Sequence, residues 1–264
     1  MGANYIDIDL SYKQGLAWAA LQEDDSVEQL FYGGAAGGGK TRLGCDWQIY
    51  RRLMYPGTRG LIGRKQFTDL MTTTWKTFQE RWESVWQYND MGITWRKGGE
   101  NEIFWSNGSE TLLKALTHGQ SGGSGEKNKH NFGSMELTDA FIDESPEVEE
   151  EIVDLVESRI RYKLELVRGT PKLLLCGNPD QGWSKKRFIK STQGIPVVLR
   201  PYQKVIRSKL SDNPDPVFRA TYRKQLEKLP LHERLRLLEG DYDALARTGN
   251  EAYYSFSSEL HVKP

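Results

Sequence analysis

The sequence is poor in cysteine and contains no long apolar run. Its two cysteines among 264 residues, Cys45 and Cys176, belong to no metal-like cluster and make no disulfide framework, which favours a reducing cytoplasm. A mean hydropathy of -0.64 also argues against a membrane span. The N-terminal residues lack a basic region followed by an apolar stretch, so we expect no signal peptide.

An excess of charge of one sign is also missing. The chain has 36 basic and 36 acidic residues and a net charge of zero, whereas a static nucleic-acid binder usually carries a strong positive excess. We therefore expect any contact with DNA to be local. The local basic groups are Arg51-Arg52, Arg159-Ile160-Arg161 and Lys185-Lys186-Arg187, and each is more often a solvated face than a DNA site.

Short apolar strands that alternate with amphipathic helices predict an α/β fold with a mostly parallel sheet. The predicted strands are 29–34, 60–64, 136–144, 171–179 and 195–200. Helices are predicted over 41–54, over 69–86 and after Ser145, which suits the N-cap position. The aromatic stripe of the helix over 69–86 is typical of core packing. Residues 92–116 alternate around Gly-Gly and Asn-Gly turns, which predicts an antiparallel β insertion. From about residue 211 the pattern turns helical.

A glycine-rich loop carries the most specific chemistry. It fits G-x-x-x-x-G-K-[ST] at every position with Gly34, Ala35, Ala36, Gly37, Gly38, Gly39, Lys40 and Thr41. Such glycines let backbone N–H groups curl around phosphate oxygens at a helix N-terminus. Lys40 would reach the β- and γ-phosphates, and the Thr41 hydroxyl would ligate magnesium. Because the loop follows a strand and opens an amphipathic helix, a phosphate-binding loop is favoured over a simple glycine-rich turn.

Asp143 and Glu144 follow an apolar strand, as a Walker B pair does. Asp143 would enter the magnesium shell, and Glu144 would act as the base that orients or deprotonates water. The rival interpretation is an acidic pair that caps a helix. Asn178, in Gly-Asn-Pro at the end of the next strand, can contact the γ-phosphate or the water, with a plain turn as the alternative. Gln14, upstream of the first strand, can read adenine with its amide, but a lone glutamine is not specific.

Together these residues resemble the ATPase domain of the large terminase subunit, the genome-packaging motor of tailed bacteriophages. The resemblance comprises Gln14, the loop 34–41, Arg64 after a strand, Asp143-Glu144, Asn178-Pro179 and the helical stretch 212–244. It implies an additional-strand P-loop ATPase with ATP and Mg2+ as ligands. Within that family Gln14 becomes an adenine contact and Asn178 a coupling residue.

The resemblance also implies an organisation and partners. The ATPase core would cover 1–205, a helical lid or linker subdomain 206–248, and a linker toward an absent nuclease domain 249–264. The implied partners are double-stranded DNA bound without sequence preference, a portal protein and a small terminase subunit. We expect a homo-oligomeric ring during packaging, a monomer in isolation, no membrane association, and a location in the host cytoplasm.

One departure from the family concerns the trans-acting arginine finger. The family often has an arginine just before the glycine ahead of Walker B, but here Phe132 precedes Gly133. Lys129, Arg64 or an arginine elsewhere is therefore the candidate finger or sensor. Without a finger, an isolated chain should hydrolyse ATP slowly.

Two other classes of function remain open. One is a different P-loop enzyme, such as a helicase-like ATPase or a small-molecule kinase. The other is an assembly module that binds nucleotide only to hold a ring interface, although intact Lys40, Thr41, Asp143 and Glu144 argue against catalytic silence. A GTP switch is disfavoured, because Asn128-Lys129-His130-Asn131 does not complete the guanine-reading Asn-Lys-x-Asp motif.

Overall fold

A single mixed sheet organises the computed structural model, which describes residues 8–87, 92–96, 101–117 and 135–244. Its strands are β1 Gln29–Gly34, β2 Arg59–Arg64, β3 Ile93–Arg96, β4 Asn101–Trp105, β5 Glu110–Ala115, β6 Asp139–Ile142, β7 Lys172–Gly177 and β8 Gln203–Ser208. Their order is β3-β4-β5-β2-β6-β7-β1-β8. The pairs β3-β4 and β4-β5 are antiparallel, and the other neighbouring pairs are parallel. The predicted α/β sheet and antiparallel insertion are thus confirmed.

The centre of the sheet inserts one strand between the two strands that lead into the predicted site motifs. β7 lies between β1, which leads into the glycine-rich loop, and β6, which leads into Asp143. Every residue of these three strands is buried. Strands covered on both faces read as continuous apolar runs, which is why the sequence revealed them.

Helices cover both faces of the sheet. They are α1 Tyr12–Gln22, α2 Lys40–Met54, α3 Phe67–Asp69, α4 Trp75–Arg81, α5 Glu150–Glu157, α6 Trp183–Phe188, α7 Pro216–Leu226 and α8 Leu231–Arg234. Core residues from α1, α2 and α4 pack on one face, and those from α5 and α6 pack on the other. A π-helical turn at Leu70–Thr74 joins α3 to α4, and a second at Trp82–Trp86 extends α4, so that residues 67–86 form one helical run. Its Phe78 and Trp86 are buried in the core, as the aromatic stripe predicts.

The prediction of a strand over 195–200 is wrong. The outer strand is β8, which pairs in parallel with β1, and the predicted boundary at residue 205 falls inside it. Pro196 lacks the N–H that a ladder requires, and Val198 is 93% exposed, so the run buries little apolar surface. β8 escaped detection because it is polar in part, with Lys204 half-buried and Arg207 exposed.

The helix predicted to begin at Ser145 starts later. Residues Ser145–Glu147 form one 3-10 turn, and α5 begins at Glu150 with Glu149 as its N-cap residue. Val148 has extended backbone angles and separates the two segments. The turn follows Glu144, whose backbone is left-handed with φ 47 and ψ 45. The chain therefore turns sharply after β6 before a helix can form.

The helices from residue 211 onward form a small subdomain that packs on the glycine-rich loop. Its apolar contacts are made by Ala36 of the loop with Leu210, Leu226 and Leu238. α7 begins as its sequence indicates, because Asp215 accepts hydrogen bonds from two N–H groups of the first turn and Pro216 occupies its first position. Within the described ranges, no helix is long and apolar enough to cross a membrane.

Arg51 and Arg52 are buried, so both interpretations of this basic pair, a solvated face and a DNA site, are wrong. Arg51 Nε donates to Asp139 Oδ2 at 3.0 Å, and Arg52 donates to the same carboxylate oxygen. Gln48 donates to Asp139 Oδ1 at 2.8 Å. The arginines therefore tie α2 to β6. In the third basic group, Arg187 forms ion pairs with acidic residues of α5.

Candidate functional site

The carboxyl ends of the parallel strands collect the predicted site residues at one edge of the sheet. A cleft of about 550 Å³ opens there. Its walls are formed by residues of the glycine-rich loop, α4, the segments after β6 and β7, and the helical subdomain, including Lys40, Thr41, Arg81, Glu144, Asn178, Asn213 and Tyr222. Ligands of open α/β sheets bind in this kind of crevice.

The glycine-rich loop is held near its start by two adjacent residues. Ala35 N–H donates to Ser208 O of β8 at 2.9 Å, and Ala36 N–H donates to Leu237 O of the helical subdomain at 2.7 Å. Gly34 has φ 113 and lies so close to Ser208 that a side chain there would meet the β8 backbone. The loop therefore contacts both the sheet and the subdomain.

Lys40 lies across the concave side of the loop. Its Nζ donates to Ala35 O at 2.6 Å, to Gly34 O at 3.3 Å and to Asn178 Oδ1 at 3.1 Å. Burial lowers the pKa of Lys40, although the negative charges of Glu144 and Asp143 act in the opposite direction. The ammonium thus lies where a phosphate oxygen could accept a hydrogen bond from it.

Two hydroxyl groups converge on Asp143. Thr41 Oγ1 donates to the carboxylate oxygens at 3.1 and 3.2 Å, and Thr74 Oγ1 donates to Oδ2 at 2.6 Å. Mg2+ prefers oxygen ligands and is typically held by one or two carboxylates, water and substrate phosphates. The Thr41 and Asp143 oxygens fit that ligand set. In the described ranges no group of three His, Cys, Asp or Glu side chains forms a metal site, so a metal here would take further ligands from water and phosphate.

Glu144 faces Asn178 across the end of the sheet. Asn178 Nδ2 donates to Glu144 Oε1 at 3.1 Å, and the Asn178 backbone N–H donates to Oε2 at 3.4 Å. Burial and then the charge of Asp143 raise the pKa of Glu144, and Lys40 opposes both. Its left-handed backbone is rare for a residue other than glycine, and such conformations cluster at functional sites. The carboxylate has the environment that suits a general base.

Gln14 braces the glycine-rich loop. Its Nε2 donates to Gly39 O at 3.0 Å, and its Oε1 accepts the Ser11 N–H at 2.9 Å. Since the side chain is buried and both ends of the amide are bonded, its role as an adenine contact stays a prediction. The capping box formed with Ser11 also starts α1, a helix that the sequence analysis did not assign.

Arg64 ends β2 beside the strand that leads into Asp143 and Glu144. Its Nη1 donates to Thr73 Oγ1, and its positive charge acts to lower the pKa of Glu144. Arg64 therefore acts on the carboxylate of its own chain. Lys129 and the Phe132-Gly133 position lie outside the described residues.

The sequence analysis missed several residues that contact this site. Thr74 bonds Asp143, Tyr32 OH donates to Gly38 O at 3.2 Å, and Asn213 Nδ2 donates to Gly37 O at 2.9 Å. Phe218 and Tyr222 stack with ring centroids 5.2 Å apart on the subdomain wall of the cleft. The threonine run at 72–74 and the Asn-Pro turn at 213–214 were visible signals, but neither has a spacing that points to a ligand.

Solved structures of phage large terminases share this fold. A large terminase from a thermophilic bacteriophage, in complex with ADP, gives a TM-score of 0.65 at 14% identity, over 88% of this chain and 53% of that chain. The HK97 bacteriophage large terminase gives 0.58 at 13% identity, over 88% of this chain and 50% of that chain. The Thermus phage P74-26 large terminase ATPase domain gives 0.54 at 12% identity, over 82% of this chain and 89% of that chain.

These likenesses establish the fold: the chain has the fold of the ATPase domains of phage large terminases. It spans about half the length of the ADP-bound terminase and of the HK97 terminase. No protein-family model matches the sequence, and no curated protein matches it. The structural likeness therefore shows the fold of the chain.

Proposed function

We propose that this protein is the ATP-hydrolysing motor domain of a phage large terminase, which drives double-stranded DNA into a procapsid. The observation that carries the proposal is the convergence of Lys40, Thr41, Glu144 and Asn178 on one cleft, with the Asp143 carboxylate hydrogen-bonded to Thr41 beneath it. These residues come from three separate parts of the chain and include the phosphate-binding lysine, the candidate magnesium ligands and the candidate base that phosphoryl transfer to water uses.

In the proposed binding step, loop N–H groups and Lys40 hold the phosphates of ATP. The Lys40 ammonium exchanges the carbonyl of Ala35 for a negatively charged phosphate oxygen, which adds to the charges that offset its burial. Thr41 and Asp143 hold magnesium, which when bound would neutralise charge on the β- and γ-phosphates.

In the proposed hydrolytic step, Glu144 accepts a proton from the attacking water. Asn178 holds the Glu144 carboxylate and also bonds Lys40, so it lies between the base and the phosphate-binding ammonium. Loss of the γ-phosphate would change both contacts. Since Ala36 N–H is bonded to Leu237 O, movement of the loop would be passed to the helical subdomain, which we propose is the mechanical output.

We propose that the motor works as a ring on a portal protein with a small terminase subunit in the host cytoplasm. Arg64 already bonds Thr73 in its own chain, which supports a sensor role for it and leaves the finger to a neighbouring subunit. Runner-up functions are a helicase-like ATPase, a small-molecule kinase or a nucleotide-binding assembly module. The fold shared with terminase ATPase domains and the Glu144–Asn178 contact favour the packaging motor.

The proposal is tested by phosphate release from ATP with Glu144→Gln, and with Glu147→Gln as its matched control on the exposed side of the same turn. We expect Glu144→Gln to keep ATP affinity and to lose turnover by about 100-fold or more, and Glu147→Gln to behave like the wild type. Added double-stranded DNA and portal should raise the wild-type rate. An unchanged rate in Glu144→Gln would contradict the assignment of the base.

A further inference from the structure

Thr74 is a fully buried hydroxyl side chain at the candidate metal site. Its Oγ1 donates to Asp143 Oδ2 at 2.6 Å, a shorter contact than either of the two made by Thr41, at 3.1 and 3.2 Å. Hydrogen bonds to an ionised acceptor are short and roughly twice as strong as neutral ones. Thr74 is therefore a strong partner of the Asp143 carboxylate.

The backbone around Thr74 is built to present this hydroxyl. Leu70–Thr74 is a π-helical turn, in which Trp75 N–H donates to Leu70 O. Such turns are rare and occur often at functional sites. Leu70 and Thr74 are both buried, so the turn places an apolar side chain in the core and a hydroxyl against Asp143. The Thr74 carbonyl is itself held by Cys45 Sγ at 3.5 Å.

The contacts of Asp143 show what Thr74 can do. The Asp143 backbone N–H donates to Gly63 O, so it is not available as a hydrogen-bond donor to the Asp143 carboxylate. Thr41 bonds both carboxylate oxygens, but a metal that takes the Thr41 hydroxyl as a ligand would compete for that oxygen. Thr74 lies on a different element and bonds only Oδ2, and it can keep the carboxylate in place when Thr41 is engaged.

We propose that Thr74 is a positioning residue that holds the Asp143 carboxylate ready for the magnesium that accompanies the nucleotide. This inference rests on the proposed ATPase function and adds to it a residue that acts through Asp143. The competing explanation is that the hydroxyl only satisfies a buried carboxylate and stabilises the fold. The two explanations differ in what they predict for the magnesium dependence of nucleotide binding.

Two comparisons isolate the effect of the Thr74 hydroxyl. The wild type has the hydroxyl, and Thr74→Val lacks it at nearly constant side-chain shape. Thr74→Ser keeps a hydroxyl on a smaller side chain, and Thr74→Ala lacks it. Thr72→Val is the control, because the Thr72 hydroxyl bonds Thr68 O at 2.9 Å on the exposed side of the helix. Binding of a fluorescent ADP analogue is measured in EDTA and then during a Mg2+ titration, and thermal unfolding is followed without nucleotide.

We expect the affinity for the analogue to rise at similar Mg2+ concentrations in the wild type, Thr74→Ser and Thr72→Val. Thr74→Val and Thr74→Ala should need about 10-fold more Mg2+, the usual effect of losing a group that orients a metal ligand, while affinity in EDTA stays unchanged. If Thr74→Val does not fold, the Ser and Ala pair decides the question.

A wild-type Mg2+ response in the folded variants without the hydroxyl would overturn the inference. So would an equal loss in Thr74→Ser, or a parallel loss of affinity in EDTA, since either would indicate a structural role. A wild-type protein that binds the analogue with no response to Mg2+, or does not bind it, would overturn the proposed function and this inference with it.

Discussion

Glu144 combines a raised pKa with an Asn178 contact that favours its charged form. Burial and Asp143 raise the pKa of the carboxyl group, whereas the hydrogen bonds from Asn178 go to the carboxylate and stabilise it. A base acts only when it is ionised. The rate of hydrolysis should therefore fall as the pH drops through the raised pKa of Glu144.

We predict that Asn178→Ala shifts the acid limb of the pH–rate profile to higher pH. The substitution removes the side-chain donor to the Glu144 carboxylate and keeps the backbone N–H donor, so the ionised form loses part of its stabilisation, the pKa of Glu144 rises, and more of the carboxyl group is protonated at a given pH. The measurement is kcat for ATP hydrolysis from about pH 5 to 9. Asn107→Ala, in a turn whose amide bonds Arg52 O at 2.7 Å, is the control and should leave the limb in place. A shift of the acid limb to lower pH in Asn178→Ala would refute the argument.

At the scale of elements, α2 and β6 are joined by charges rather than by apolar contacts alone. Burial by itself would raise the pKa of Asp139, but Arg52 and Arg51 hold that pKa below its usual value. The stabilisation is therefore complete above the ordinary Asp pKa and is lost as the pH falls through the lowered value in the folded protein. The ion pairs of Arg51 and Arg52 with Asp139 align α2, which follows the glycine-rich loop, with β6, which leads to Asp143.

Asp139→Asn should lower the free energy of unfolding by about 3–5 kcal/mol, because it leaves two buried guanidinium groups without a counter-charge. Glu110→Gln is the matched control. It removes the charge that pairs with Arg59, but both side chains are 30% exposed, and such pairs contribute about 0–1 kcal/mol. Urea denaturation at neutral pH compares the two variants. A loss in Asp139→Asn no larger than that in Glu110→Gln would show that water or other groups compensate the arginines.

At the scale of the whole molecule, the proposed ring would add a neighbouring subunit to the site. Arg64 is the arginine whose charge acts on the pKa of Glu144, and it already bonds Thr73. A second positive charge for the transition state would come from another subunit under the proposed ring, and such a finger typically accelerates hydrolysis by about 10³–10⁵-fold.

We therefore predict that phosphate release per chain rises with protein concentration. The expected cause is association, which would supply the second positive charge, so the affinity for a fluorescent ADP analogue should change little over the same range. Addition of Glu144→Gln chains at constant total concentration tests whether mixed assemblies form. If the rate per chain is the same at every concentration, catalysis needs no neighbour and the trans-acting finger is wrong.

Sequence reasoning identified the parts of the site that lie at the ends of buried strands. The loop 34–41, Asp143, Glu144 and Asn178 follow continuous apolar runs, and the carboxyl ends of parallel strands meet at one edge of a sheet. Local residue types were therefore enough to predict that these groups come together and that the fold is α/β. They were not enough for β8, because an edge strand that is polar in part has no clear pattern.

What the sequence by itself determined was the phosphate-binding pattern of the loop and the acidic pair after β6, because both are contiguous and their chemistry depends on residue type and spacing. Only the tertiary structure decided that Arg51 and Arg52 are buried against Asp139 and that Thr74 contacts Asp143. These pairs are separated by at least 69 residues in the chain. Their partners depend on how α2, the π-helical turn and β6 pack together, and no local pattern records that packing.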